Sequence, residues 1–190
     1  LLGQNMSSSS LPAVQVMGNI NVGTSALNVL ANGGQIYQGT NSSFTAGRVT
    51  IDNTGAGRSS LFADYSVTPN ITNGQSFGGS INSTTGAITM GNAAATTGSL
   101  TTALNLNGTI NTTSNIDMAA NAGAHINVAL TSSGGDIHVQ AQTGITTLKA
   151  LSAPTNSGAT GGNITFSALD GDIVLQADIT AGKTVTLDNH

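Results

Sequence analysis

The sequence contains no cysteine, no tryptophan and no glutamate, and it has very few charged residues of either sign. Only 6% of its 190 residues are charged, against roughly 25% in an ordinary globular domain. The absence of cysteine excludes a disulfide framework and any zinc or redox site built on thiolates. The shortage of Glu, Lys and Arg disfavours long amphipathic helices, because these residues normally form the solvent-facing side of a helix. The basic residues are only Arg48, Arg58, Lys149 and Lys183, so the chain lacks the basic patch of a nucleic-acid-binding protein.

Aromatic residues and long apolar runs are also scarce. Aromatics make up 3% of the chain, so the core must be filled by aliphatic side chains. No apolar run approaches the roughly 18 residues of a membrane-spanning helix. Leu1–Leu11 has neither a basic start nor an apolar stretch of about seven residues, and so does not match a signal peptide. Hydrophobic residues still form 38% of the chain, which favours a folded protein over a disordered one.

What the sequence does contain is a recurring short phrase: a turn residue, a spacer, an aliphatic residue, usually a polar one, and a second aliphatic residue. Two apolar residues two positions apart are typical of a strand with one buried face. The phrase occurs at Gly18–Val22, Gly47–Ile51, Gly86–Met90, Ser114–Met118, Ala124–Val128, Gly135–Val139, Gly162–Phe166, Gly171–Leu175 and Gly182–Leu187.

The spacing of these phrases favours stacked coils of about 20 residues over an antiparallel β-sandwich. Ser114 and Gly135, and again Gly162 and Gly182, open phrases about one coil apart. The sandwich remains the alternative, although tight Asn-Gly hairpin signals are sparse. We therefore predict an all-β parallel β-helix, a β-solenoid, formed by residues 1–190 as one unit, with residues 1–12 as a flexible or linking N-terminal strand. Loop excursions are expected at Gly91–Leu100 and Leu151–Gly161.

The alternation within the phrases also predicts which side chains form the core. We expect one set of apolar residues to point inward and the residues between them to point outward. The expected inward set is Ile137, Val139, Ile164, Phe166, Ile173, Leu175, Val185 and Leu187. The expected outward set is His138, Thr165, Val174 and Thr186.

Gly135–Ile145 (GDIHVQAQTGI) and Gly171–Asn189 (GDIVLQADITAGKTVTLDN) resemble the coils of filamentous haemagglutinin-like adhesins, the large exoproteins of bacterial two-partner secretion. The resemblance covers the C-terminal half, 115–189, and extends to the preceding part of the chain only in general texture. It implies a right-handed parallel β-helix, export as an extended fibre, and a role in attachment to cells or surfaces. Passenger domains of autotransporters and subunits of self-assembling surface filaments share this texture.

Asp170, Asp172 and Asp178 form the densest acidic group and are the first candidates for chemistry. A calcium site, or the carboxylates of a β-helical polysaccharide-active enzyme, would need such a group, but only Lys183 lies nearby to bind an acidic sugar. The calcium-binding phrase G-G-x-G-x-D does not occur. We interpret these residues as caps of their own turns.

His125 and His138 are the candidates for a metal pair or a base. No second ligand type follows at a suitable spacing, so we interpret both as solvated side chains. No G-x-S-x-G elbow occurs either. The sequence therefore predicts no catalytic, cofactor-binding or metal-binding residues and no cofactor.

The sequence leads us to expect a non-catalytic, secreted adhesin or fibre segment at the cell surface. The alternatives are a subunit of a self-assembling extracellular filament and, third, a β-helical polysaccharide-active enzyme. The expected partners are neighbouring coils or other copies joined end to end, and surface glycans. Asn-x-Ser/Thr acceptor sequences for glycans occur at Asn5, Asn41, Asn70, Asn82, Asn107, Asn111 and Asn163.

Overall fold

The computed structural model describes residues 2–4, 14–32, 36–53, 61–64, 70–73, 75–91, 104–106, 108–120, 123–147, 149–154 and 162–190. Across these residues the chain forms strands and turns and no helix. The prediction of an all-β protein is confirmed. This outcome follows from the composition, because Thr and the β-branched aliphatics favour strands while Asn, Ser and Gly favour turns.

The strands are short, most of them three to five residues. In chain order they are β1 (Leu2–Gln4), β2 (Val14–Val16), β3 (Ile20–Asn21), β4 (Ala26–Asn32), β5 (Ile36–Gln38), β6 (Ser43–Ala46), β7 (Arg48–Asn53), β8 (Leu61–Asp64), β9 (Asn70–Asn73), β10 (Gln75–Phe77), β11 (Ser80–Ser83) and β12 (Ile88–Met90). They continue as β13 (Leu104–Leu106), β14 (Ile110–Thr112), β15 (Ile116–Ala120), β16 (Gly123–Ile126), β17 (Leu130–Ser132), β18 (Ile137–Ala141), β19 (Gly144–Thr147), β20 (Leu151–Ala153), β21 (Ile164–Ala168), β22 (Ile173–Leu175), β23 (Ile179–Ala181) and β24 (Val185–Asn189).

These strands form three parallel sheets that the chain visits in rotation. Sheet A has the order β1-β4-β7-β12-β15-β18-β21-β24, sheet B the order β2-β5-β10-β13-β16-β19-β22, and sheet C the order β3-β6-β11-β14-β17-β20-β23. We call one passage through A, B and C a coil. Among the described strands only β8 and β9, inserted between sheets A and B, pair antiparallel. The pairing is inconsistent with an antiparallel sandwich and consistent with a β-solenoid.

The coil length matches the prediction wherever no extra residues intervene. Ile116 pairs with Ile137, and Ile164 with Val185, in each case one coil of about 20 residues further along the chain. Val49 pairs with Ile88, nearly twice as far along the chain, because β8 and β9 lie between them. Extra residues thus lie between strands and leave the pairing of their neighbours in register.

The core is a set of mainly aliphatic side chains contributed by the inward positions of the three sheets. In sheet C, residues at one inward position align through successive coils and are almost wholly buried: Phe44, Ile81, Ile110, Leu130 and Leu151. Apolar side chains stack on apolar side chains, because paired strands of successive coils place residues at the same register position. The scarcity of aromatics is therefore compatible with a dense core.

The predicted inward set is confirmed in the interior of the stack and differs at its last coil. Ile137, Val139, Ile164 and Phe166 are buried, and Ile173 and Leu175 pack against the core while partly exposed. Val185 and Leu187 align with Ile164 and Phe166, yet they are 45% and 55% exposed. They lie on β24, which pairs with β21 on one side and is at the edge of sheet A among the described strands. The expected outward residues His138 and Val174 are exposed.

All nine phrases contain a strand, but similar phrases do not occupy equivalent positions. The strand of Gly135–Val139 is β18 in sheet A, whereas that of the nearly identical Gly171–Leu175 is β22 in sheet B. The predicted loop Leu151–Gly161 is wrong at its start. Leu151–Ala153 is strand β20, whose Leu151 and Ala153 side chains are buried, because the alternation Leu-Ser-Ala continues the inward column of sheet C.

Other predicted boundaries fall partly outside the described residues. Gly91 continues the coil, since its N–H donates to the carbonyl oxygen of Ile51 at 2.8 Å, while residues 92–100 and 155–161 lie outside the described part of the chain. Within the predicted N-terminal strand 1–12, Leu2–Gln4 pairs with β4, and residues 5–12 lie outside the described ranges.

Candidate functional site: the outward face of sheet A

The outward face of sheet A carries a straight row of polar side chains. Successive strands contribute, at the same register position, Thr50, Thr89, Asp117, His138, Thr165 and Thr186. We call these six residues the outer row. Neighbouring members project from strands about 4.7–4.9 Å apart. The coil thus gathers into one line residues that lie far apart in the sequence.

Asp117 and His138 lie at the centre of the outer row and contact each other. The Nδ1 atom of His138 is 3.0 Å from Oδ1 of Asp117. Both side chains are well exposed, at 48% for His138 and 36% for Asp117, so their pairing contributes little to stability. When Nδ1 donates to the carboxylate, the neutral imidazole retains Nε2 as a hydrogen-bond acceptor. The pair can therefore offer both a carboxylate and an imidazole nitrogen to a ligand.

A groove of about 680 Å³ runs along this face. Small-molecule sites in proteins have volumes of roughly 300–1,000 Å³. The groove is lined by the outer row from Thr50 to Thr165, and by a second row two positions further along the strands. The second row consists, in strand order, of Asp52, Gly91, Ala119, Gln140 and Ser167.

The second row explains why this face is concave. Its middle members, Gly91 and Ala119, are small, whereas Asp52 and Gln140 on either side carry longer side chains. Ala119 belongs to the outward side of β15, yet it is only 3% exposed. Short side chains between longer ones form a floor between two walls.

One wall of the groove holds a polar atom without a hydrogen-bond partner. Oδ1 of Asp52 is buried and accepts no hydrogen bond from the residues that the structure describes. An unsatisfied buried acceptor costs about 1–3 kcal/mol. This cost would be relieved only by a group that reaches Oδ1, which is closed to solvent in this structure, and donates a hydrogen bond to it.

A ladder of Asn, Asp and Thr side chains fixes the corner where the chain enters sheet A. Oδ1 of Asn115 accepts from the N–H of Asp136 at 3.0 Å, and Oδ1 of Asp136 accepts from the N–H and Nδ2 of Asn163 at 2.9 and 3.0 Å. Thr184 Oγ1 then donates to Asn163 Oδ1 at 2.6 Å. The Asn or Asp of the recurring phrase therefore links one coil to the next at this corner.

Buried hydroxyl groups satisfy the backbone at the corner between sheets C and A. The Ser83 hydroxyl donates to the carbonyl oxygen of Gly47 or Gly86, each at 2.7 Å, and Thr112 Oγ1 donates to the same Gly86 oxygen at 2.7 Å. Ser132 Oγ donates to Ser114 O at 2.6 Å. Buried polar groups must be paired, and these small hydroxyls do so without introducing charge.

The predicted acidic group does not assemble into a site. Asp170, Asp172 and Asp178 have exposed side chains, and no group of three or more acidic or histidine residues with metal-binding geometry occurs in the described ranges. Two of them instead contribute backbone hydrogen bonds between coils. The carbonyl oxygen of Asp172 accepts a hydrogen bond from the N–H of Ile145 at 2.9 Å, and the carbonyl oxygen of Asp178 accepts one from the N–H of Leu151 at 3.1 Å. Lys183 is exposed, and its N–H donates to Gly162 O at 2.9 Å.

The two histidines considered together in the sequence lie on different sheets. His125 is exposed on β16 in sheet B, whereas His138 is on β18 in sheet A. A partner for His138 was missed by the sequence reasoning. Asp117 precedes it by one coil length, and this separation was the signal that could have identified the pair.

Some acceptor sequences for glycans are already engaged. Asn163 Nδ2 donates a hydrogen bond to Asp136 Oδ1 at 3.0 Å. Asn111 Nδ2 donates to Asn82 Oδ1 at 3.2 Å on the outward face of sheet C. Asn41 is exposed. Asn5 and Asn107 lie outside the described residues, as does the side chain of Asn70.

Comparison of the chain with protein-family models, with curated proteins and with solved structures finds no match. In the described part of the chain, no helix is long and apolar enough to cross a membrane.

Proposed function

We propose that this chain is a segment of a secreted, surface-attached adhesive fibre, with a structural and binding role and no catalytic one. The observation that carries the proposal is the repeated rotation of the chain through sheets A, B and C from β1 to β24, with β8 and β9 inserted between β7 and β10. Such stacking extends a protein in one direction and repeats its outward faces along the length. A long, rigid body with repeated lateral surfaces suits attachment at a distance from a cell.

The surface composition supports the same proposal. The outward position of sheet C carries, coil after coil, small uncharged polar residues: Asn21, Thr45, Asn82, Asn111, Thr131, Ser152 and Thr180. These side chains hydrogen-bond without long-range charge effects. Such a face suits contact with other uncharged polar surfaces outside the cell.

The coil is proposed to be right-handed and closed around the core. A strand followed by a crossover to a parallel strand of the same sheet is right-handed in about 98% of cases, because of the twist of the strands. Each coil here is such a crossover, repeated in every sheet. The handedness also accords with the adhesin resemblance of residues 115–189.

A second candidate, a subunit of a self-assembling filament, is favoured by the exposed apolar residues of β24. Val185 and Leu187 align with the buried residues Ile164 and Phe166 of the preceding coil, yet they are about half exposed. A strand with unpaired backbone groups can pair with another strand. Either a following coil of a longer chain or a second copy would cover these residues.

Attachment can be tested by coating beads with the purified segment and measuring their retention on cells and on surface polysaccharide under flow. The proposal expects retention above that of beads coated with a globular protein of similar net charge. Retention no greater than this control on every surface, together with turnover of a polysaccharide, would refute the fibre role in favour of the enzyme.

The filament candidate can be tested by light scattering and electron microscopy over a concentration series. Leu187→Lys should abolish end-to-end association, whereas Thr186→Lys, on the opposite side of β24, should weaken it much less. A monomer at every concentration in the unmodified chain would exclude the filament and leave the adhesive fibre.

A further inference from the structure

The groove on sheet A has the properties of a binding site rather than of a smooth fibre surface. It combines the small residues Gly91 and Ala119 with the Asp117–His138 pair and the Asp52 carboxylate, all of which line it. We propose that this groove binds a neutral saccharide. The inference rests on the proposed adhesive function and specifies where the adhesive contact is made.

The chemistry of the lining selects the ligand class. Thr89, Thr165 and Ser167 offer hydroxyls that both donate and accept, and the Gln140 amide does the same with separate atoms. Asp52 and Asp117 only accept when ionised. A ligand with many hydroxyl groups satisfies such a mixture, since each hydroxyl can donate to a carboxylate and accept from an amide or a threonine.

Charge disfavours the other classes of polar ligand, an anionic one most strongly. No Lys or Arg occurs among the described lining residues, so within this part of the chain an anionic sugar would face the Asp52 and Asp117 carboxylates without a compensating cation. A cationic ligand would compete with His138 for Asp117, which the imidazole contacts at 3.0 Å, so Asp52 is the carboxylate of the described lining that remains for a cation. Hydrogen bonds from neutral hydroxyls to carboxylates are charge-assisted and are therefore strong without requiring a charged ligand.

The position of the groove also suits a chain-like ligand. The outer row crosses five strands from Thr50 to Thr165 along one line, so several sugar units can lie across consecutive coils. Asp52 lies beside the start of this line and Ser167 beside its end.

The test is a glycan array probed with the unmodified chain, with neutral oligosaccharides, matched sialylated or uronate-containing ones, and glucosamine-containing ones. We expect binding to a neutral oligosaccharide, at least tenfold preferred over its anionic and cationic counterparts. Preference for an anionic or a cationic sugar, or no binding to any sugar, would refute the proposed ligand class.

Titration calorimetry of variants then locates the site, with a neutral oligosaccharide that binds on the array as the ligand. His138→Ala should weaken binding at least tenfold, and the matched change His125→Ala, an exposed histidine on sheet B, should leave it within twofold. Ala119→Leu should block the groove, and Gln140→Ala provides a second groove variant if Ala119→Leu does not fold. Equal binding by the groove variants and His125→Ala would refute the site.

The bead assay separates this inference from the function on which it rests. Attachment that survives His138→Ala and Gln140→Ala leaves the adhesive role standing and overturns the groove as its contact. Saccharide binding without attachment to any surface overturns the adhesive role and leaves the groove.

Discussion

Ile137→Ala tests whether the stacked column of sheet A stabilises the protein. Ile137 is wholly buried between Ile116 and Ile164, which align with it from the neighbouring coils. The change removes three buried carbons, worth about 0.8 kcal/mol each, and leaves a cavity between two fixed coils. We therefore expect a loss of about 3–4 kcal/mol in the free energy of unfolding.

The same column supplies a comparison at its exposed end. Val185 occupies the equivalent position on β24 but is 45% exposed. Val185→Ala removes two carbons that are about half buried, so the expected loss is about 0.8 kcal/mol. Thr165→Ala, on the outward side of β21, should change stability by less than about 0.5 kcal/mol.

Urea unfolding followed by far-ultraviolet circular dichroism measures these differences, with the slope of the transition as a check that the variants expose the same surface. The spectrum of the folded protein should show strand and less than about a tenth helix, well below the usual third. If Ile137→Ala and Val185→Ala proved equally destabilising, or if Thr165→Ala matched Ile137→Ala, the assignment of the inward face would be refuted.

Three further changes test the corners and the acidic group. Asp136→Ala should lower the free energy of unfolding by about 1–2 kcal/mol, because Asn163 on the next coil loses the oxygen that accepts its two hydrogen bonds. Asp136→Asn should lower it by less than half of that. Equal losses for the two variants in urea unfolding would contradict the corner ladder. Gly171→Ala should cost about 2–3 kcal/mol, since a Cβ there would overlap the carbonyl oxygen of Thr143. Gly18→Ala, with no heavy atom within 4 Å of its Cβ position, is the control, and similar melting temperatures for the two would refute this packing. Asp172→Asn should change the melting temperature little and leave attachment intact, whereas a calcium-dependent melting temperature lost in this variant would restore the acidic group as a site.

Nine of the 24 described strands, and the inward residues of several of them, could be predicted from the sequence because alternation is a local property. All nine phrases contain strands, and the predicted coil length is present where the chain has no insertion. The sheet to which each strand belongs could not be predicted. Gly135–Val139 and Gly171–Leu175 have nearly the same letters but lie in sheets A and B, because the irregular intervals between strands decide the assignment.

The candidate site could be predicted from the sequence only in part, because it also depends on the sheet and register of each strand. Asp117 and His138 are one coil apart and could have been paired from the coil length. The floor of the groove could not, since Gly91 and Ala119 are distant in the sequence and become neighbours only through the register of β12 and β15. The adhesin resemblance stays a prediction, as no match to a known protein tests it.

The pairing of β7 with β12 across the inserted β8 and β9 has a consequence for how such a chain acquires new properties. Closing a longer loop is inexpensive, since each doubling of its length costs about 0.6 kcal/mol. Peptides grafted into the corner between β7 and β10 should therefore be displayed beside the stacked strands without disturbing the pairing of the strands on either side. The same tolerance would let evolution diversify lateral epitopes while the aliphatic column stays constant.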